Sequence, residues 1–270
     1  MEPSIETSCP IFAKLDLNSS SKLSDQINAY GGFPKAGEVR NLVGSFDGYS
    51  IISIVGKSAK LAASENRDEN AENMRHAVAN AVKCLKGLNF DQVDVASPDS
   101  LAQSAAEAAK MTTWSYKESA REKMPQNFSP YSPDQTADFE RGLILAEAQN
   151  LARELMELPG NLLTPSIFAE KAVEILQPLG VKVSVKGADW IKEQNMNAFW
   201  SVAKGSSEEP KFVEMIWDGE NIKSEKTFCL VGKVRETSKF FEKFKISKSC
   251  NLIGQNCLFF LNFSLKFHTD

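Results

Sequence analysis

Gly56-Lys57-Ser58 is the first triplet of the chain with the residue types to cradle a phosphate. A phosphate loop needs another glycine five positions before the Gly-Lys pair, so that successive backbone N–H groups can wrap the ligand. Position 51 is Ile, so the triplet reads as the turn after a strand. The five cysteines (Cys9, Cys84, Cys229, Cys250, Cys257) are scattered, odd in number and lack C-x-x-C spacing. That pattern favours thiols in a reducing compartment, with the cytoplasm as the expected address, over a disulfide framework or a zinc knuckle. A nucleophilic cysteine needs a base, and the two histidines, His76 and His268, form no Cys-His pattern with them. His76 sits in a helical stretch beside Glu72 and Arg75 with no second ligand four residues away, so it reads as a surface or half-buried helix residue. Trp190, Phe199 and Trp200 lack an interleaved basic groove and read as packing residues rather than a stacking platform.

The chain that must position any site has 270 residues, 42% hydrophobic and 24% charged, as expected of globular sequence. Its net charge of −4 comes without a dense basic stripe, which argues against nucleic acid as a partner. No run of 18 apolar residues occurs, so no membrane span is expected, and the N-terminus lacks the basic region of a secretory signal.

Residues 1–35 read as an N-terminal extension or first-strand region. "YSIISIVGK" (49–57) is a β-branched run suited to a central strand, and Met74, Ala77, Val78, Ala81, Val82 and Leu85 recur at helical spacing before Gly87. "FDQVDVAS" follows as a strand. "DSLAQSAAEAAKMTTWSY" is an Ala-rich helix with Asp99 or Ser100 as its expected cap, and the Pro/Ser-rich stretch up to Thr136 reads as a loop. From Asp134 a long helix runs to Pro159-Gly160, with Phe139, Leu143, Ile144, Ala148, Leu151, Leu155 and Leu158 on its apolar face. Thr164-Pro165 opens the next helix, with Thr as cap and Pro in the first turn. "VKVSV", "KFVEMIW" and "TFCLVGK" supply strands, with a short helix and a turn between the first two. Alternating strands and helices argue for an α/β fold, and the long helix is the expected place of a domain boundary.

"QNLARELMELPGNLLTPSIFAE" (149–170), "WIKEQNMNAFWSVAKGSSEEPKFVEMIW" (190–217) and "FCLVGK" (228–233) together resemble the leucyl aminopeptidases of the cytosolic M17 family. "SIVGKSA", "NMRHAVANAV" and "SAAEAAK" are similar to that family's N-terminal domain, so the likeness spans roughly residues 35 to 233. The resemblance implies a macro-like three-layer α/β domain over 36–133, a connecting helix over 134–160, an incomplete catalytic domain over 161–233 and a divergent tail over 234–270. It implies a hexameric enzyme that removes N-terminal residues from peptides with two divalent metals, zinc or manganese. In the family, the lysine matching Lys233 is a metal ligand, and the strand continues into Gly-x-x-Phe-Asp-Ser-Gly-Gly. Here Val234 stands at the glycine and Ser238 at the aspartate, and the later ligand segments are absent from 234–270.

Lys233 is thus the sole ligand position that matches, with no catalytic or other cofactor-binding residue beside it, and it is expected not to function alone. The acids after it are Glu236, Glu242 and Asp270, whereas a bridged metal pair needs several carboxylates. A lysine must also lose its proton before it can coordinate, which is unfavourable without its partners. The expectation is a family member truncated within its catalytic domain and inactive alone. The alternative is a non-catalytic partner of full-length aminopeptidase hexamers. "LNFSLKF" in the tail alternates like a strand, either as out-of-family sequence covering the start of the sheet or as a partner-binding strand, and "CLFFLNF" is an aggregation hazard if exposed.

Overall fold

The computed structural model describes residues 10–35, 38–55, 68–88, 90, 92–116, 124–125, 127–218, 227–234 and 259–266. The fold is mixed α/β, and the chain divides into two units, Met1–Met156 and Glu157–Asp270.

The first unit begins with two helices, α1 (Pro10–Asn18) and α2 (Lys22–Ala29), where the sequence suggested an extension or a strand. Phe12 and Leu15, then Leu23 and Ile27, recur at three- and four-residue spacing and meet Leu42 and Phe46 in one core. The Asp16 carboxylate accepts the Ser24 N–H at 2.9 Å, pinning the turn between them. Strands β1 (Val39–Phe46) and β2 (Tyr49–Val55) pair antiparallel through Asp47 and Gly48, both in the left-handed region (φ 48 and 91). That turn matches the twist of a two-residue hairpin, and among the described residues β2 pairs with β1 alone instead of lying centrally.

Helix α3 (Glu69–Cys84) is capped by Asp68, whose side chain accepts from the Asn70 and Ala71 N–H groups. Strand β3 (Gln92–Val95) leads through a 3-10 turn into α4 (Ala102–Thr112), and β4 (Asn127–Pro130) returns parallel to β3. The stretch expected as loop therefore holds a short strand, with Phe128 buried in the core and Pro130 at its end. Neither Asp99 nor Ser100 caps the Ala-rich helix through its side chain. Asp99 Oδ1 instead accepts Gln135 Nε2 at 2.7 Å, and the same amide donates to the Ser97 carbonyl at 2.9 Å.

Helix α5 (Thr136–Glu157) is the long helix the periodicity predicts. Its buried residues are Phe139, Gly142 and Ala146, while Ile144 is 67% exposed, so the seam is rotated away from part of the expected apolar stripe. The reason is the neighbour: α4 presents Ala residues, and the helices approach until Gly142 abuts the Gln103 carbonyl. Asn150 and Arg153, part of the family-like segment, donate to the last-turn carbonyls of α4, Lys110 O at 3.4 Å and Met111 O at 3.1 Å. A cation and an amide there satisfy acceptors that no helix residue can reach. Across the unit, Arg75 of α3 meets the buried Glu107 of α4 at 2.8 Å.

The Tyr49 hydroxyl donates to Asp94 Oδ2 at 2.8 Å, joining the two small sheets. Burial first, then that hydrogen bond and the charge of Asp94, push the phenol up from 10.0 to about 12. A raised pKa in the folded state favours the neutral phenol, so this contribution is fully present below pH 10.0 and lost as pH rises towards about 12. Unfolding free energies across that window should fall for the wild type, and Tyr49→Phe should flatten the fall; an unchanged slope would remove Tyr49 as its source.

In the second unit, α6 (Pro165–Leu176) has Thr164 as its cap, accepting the Ile167 N–H at 3.3 Å, with Pro165 in the first turn. A 3-10 turn and left-handed Gly180 (φ 81) lead into β5 (Lys182–Lys186). Two short helices follow, α7 (Ala188–Glu193) and α8 (Asn197–Ala203), then β6 (Phe212–Asp218) and β7 (Thr227–Val234). The tail supplies β8 (Phe259–Lys266), and the sheet order is β5-β6-β8-β7. Ala169 and Val181 pack with Val213 and Met215 of β6 to form one core, and Ile191, Phe199 and Ala203 form a second.

Candidate metal-ligand site

Lys233, the one candidate ligand, lies next to the end of β7, the outermost strand of the sheet on that side. The pairing registers align Lys186, Phe212, Phe260 and Lys233 in a single row across the four strands. No carboxylate stands in that row. Glu214 falls two rows away, level with Ser184, Asn262 and Val231, and Asp218 lies at the far end, level with Lys266 and Thr227. Two residues along a strand and two strand spacings across put the Glu214 backbone on the order of 12 Å from that of Lys233. Metals 3.5–4 Å apart need oxygen ligands converging on one spot, about 2 Å from each ion. Among the described residues no three His, Cys, Asp or Glu side chains come close enough to hold a metal. The described residues do not fit a two-metal centre.

Among the described residues, the histidine and cysteines singled out in the sequence are not brought together. His76 is exposed on α3. Cys84 and Cys229 are exposed on separate units, whereas Cys9, Cys250, Cys257, His268 and the Gly-Lys-Ser triplet fall outside the described residues. Glu236, Ser238, Glu242 and Asp270 lie outside them too. Trp190 packs on Phe212 with ring centroids 5.3 Å apart, and Lys192 Nζ stands 4.4 Å over the Trp200 ring. With Phe199 buried beside them, these aromatics join α7 and α8 to the sheet as packing.

Two polar features escape sequence inspection. Glu209 holds the start of α7: one carboxylate oxygen accepts the Ala188 N–H at 3.0 Å and the other meets Lys211 Nζ at 2.7 Å. The Lys211 contact, then the backbone donor, hold the Glu209 carboxyl below the usual range. Glu170 and Glu174 of α6 line an open groove with Val185 and the same Lys211, and among the described residues no third acid joins them. Only a search for acids placed to reach the start of a short helix would have pointed to Glu209.

The family described as "Cytosol aminopeptidase family, catalytic domain", Peptidase M17, matches residues 150–234. The cytosol aminopeptidase of Bos taurus is 35% identical over 238 residues, covering 86% of this chain and 45% of its own length. That of Xenopus tropicalis is 37% identical over 218 residues, covering 78% of this chain and 42% of its own length. The chain is similar to the M17 family over residues 150–234.

The M17 match closes on Val234, the last residue of β7, and so includes Lys233 at its end. A solved structure, the bottromycin maturation enzyme BotP in complex with Mn, shares the fold at TM-score 0.60 and 23% identity, over 73% of this chain and 43% of that one. The chain spans less than half the length of these M17 relatives. Among the described residues no helix is long and apolar enough to cross a membrane.

Proposed function

We propose that the chain carries the N-terminal and opening catalytic portions of a metalloaminopeptidase, and that the 270-residue polypeptide alone does not hydrolyse peptides. The relatives named as cytosol aminopeptidases support the activity class, peptide substrates and a cytoplasmic address. In this reading 36–133 is a macro-like domain, 134–160 the connecting helix, 161–233 the start of the catalytic domain and 234–270 a divergent tail. A complete site would hold two divalent ions, zinc or manganese, with Lys233 as one ligand.

The observation that carries the inactivity is the row Lys186, Phe212, Phe260, Lys233, which offers no oxygen ligand beside the lysine. Nothing there can bridge two ions or lower the pKa of a metal-bound water. The purified chain with added Mn²⁺ is expected to give no release of chromophore from a leucyl anilide above the metal-only blank. Metal-dependent turnover that persists through gel filtration with the chain would overturn the proposal.

A second reading, a non-catalytic partner of aminopeptidase hexamers, draws on β7 itself. Leu230 is 49% and Val231 66% exposed, and β7 has no ladder partner on its outer side among the described residues. An apolar strand open on one edge is a docking element. Co-purification with a full-length relative would favour this role, and elution of the two as separate species would count against it.

A further inference from the structure

We propose that residues Phe259–Lys266 are a built-in completing strand: they fill the slot between β6 and β7 in the same molecule and hold the Lys233-bearing strand in the sheet. This goes beyond the peptidase reading and does not depend on it. Such a tail could be passive extra sequence or a strand offered to a partner, and the pairing contradicts the second use. β8 runs parallel to β6 over Phe212–Asp218 and antiparallel to β7 over the whole of Thr227–Val234, so both of its edges are occupied. Among the described residues β7 has no other ladder partner; without β8 it has no connection to the sheet.

The sequence of the strand suits that place and that register. Leu261, Phe263 and Leu265 fall level with Val213, Met215 and Trp217 of β6, the residues that build the α6-facing core. A slip by one residue would bring Asn262, Ser264 and Lys266 level with Val213, Met215 and Trp217 in place of the three apolar residues. A central strand paired on both edges also accounts for the apolar run that would be an aggregation hazard if left free. The 24 residues between Val234 and Phe259 greatly exceed what an antiparallel neighbour needs, so the chain could reach the slot in its own molecule or in a second copy. We commit to its own molecule: the slot takes one strand, and the tethered strand is present at far higher effective concentration than one from another chain.

The register supplies a direct test, because Cys229 of β7 stands opposite Ser264 of β8. Opposite residues of an antiparallel pair have Cα atoms about 4.5 or 5.5 Å apart, within disulfide range. In a chain with Cys9, Cys84, Cys250 and Cys257 changed to Ser, Ser264→Cys is expected to yield a disulfide on mild oxidation. Peptide mapping should place that link between Cys229 and the thiol introduced at position 264 of the same chain. Leu265→Cys, one position out of register, should remain largely reduced. A link between two chains, no link at all, or a preference for position 265 would each overturn the proposal. Hydrogen exchange on the unaltered chain gives a measurement that no substitution can spoil: the amides of 227–234 should be as protected as those of 212–218. In Phe263→Pro they should exchange at least ~10-fold faster, while those of α3 stay unchanged. Unprotected 227–234 amides in the unaltered chain would also overturn it.

Discussion

Gly142→Ala is expected to lower the stability of the first unit by about 2 kcal/mol, although alanine is the better helix former. In an exposed helix the exchange would gain about 1 kcal/mol, from reduced backbone entropy and better propensity. Here the new Cβ would sit 2.3 Å from the Gln103 carbonyl oxygen and 2.8 Å from the Ala106 Cβ. The first of these is helix backbone and cannot rotate away, so α4 and α5 must separate. Separation would loosen the packing around Phe139, which is 1% exposed in the core that α4 and α5 share. Overpacking of this kind costs roughly 1–3 kcal/mol and occasionally more, which outweighs the propensity gain. The urea midpoint reads the sign directly: a midpoint above that of the parent would mean the helices are not in close contact. Ala148→Gly, on the exposed side of the same helix, should cost only about 1 kcal/mol and serves as the comparison.

Arg75→Ala is the second large expected effect, at about 3 kcal/mol. The Glu107 side chain is 7% exposed and takes both Arg75 Nε and Nη2 on Oε2 at 2.8 Å, with Gln103 Nε2 on Oε1 at 2.9 Å. Arg75 reaches Glu72 Oε1 as well, at 2.7 Å, so its guanidinium is fixed in place by a partner on its own helix. Removing the arginine leaves a carboxylate out of water with one neutral donor, and the desolvation it suffered on folding is no longer offset. The discount relative to a fully buried pair comes from Arg75 itself, 33% exposed, because water can enter where its side chain stood. Replacing both partners with apolar residues, as in Arg75→Met with Glu107→Leu, should recover most of the loss, since no charge is then left behind. Denaturant unfolding of the three chains gives the answer; a double variant no more stable than Arg75→Ala would show that packing, not charge, dominates there.

Both effects depend on contacts between elements, and this is where sequence reading stopped short. Asp68 to Cys84, Thr164-Pro165 and the three strands "VKVSV", "KFVEMIW" and "TFCLVGK" carry their own local signals, period and cap, and the structure places elements there. The short helices α1 and α2 were obscured by Ser and Asn around few apolar residues, and β4 by its proline. The value of Gly142 is visible only once Gln103 is set beside it. "LNFSLKF" was legible as a strand, but a period of two is silent on which distant strands will flank it, so its seat between β6 and β7 was not. For the candidate site, Lys233 stood out by likeness to a family motif alone; no local pattern around it marks a ligand, and the register explains why none converges on it.

The order of the strands has a consequence for synthesis. On the ribosome β7 is completed before β8, and the end of β8 follows only 32 residues later, at position 266. At about 5–20 residues per second that is a delay of roughly 2–6 s, long compared with the microseconds in which a local hairpin closes. Throughout it β7 lacks the strand that pairs with it over its whole length. The first unit, whose strands and helices all precede it, can finish folding in that interval. The second cannot, and a nascent chain in this state is a natural client for a chaperone that binds extended apolar segments.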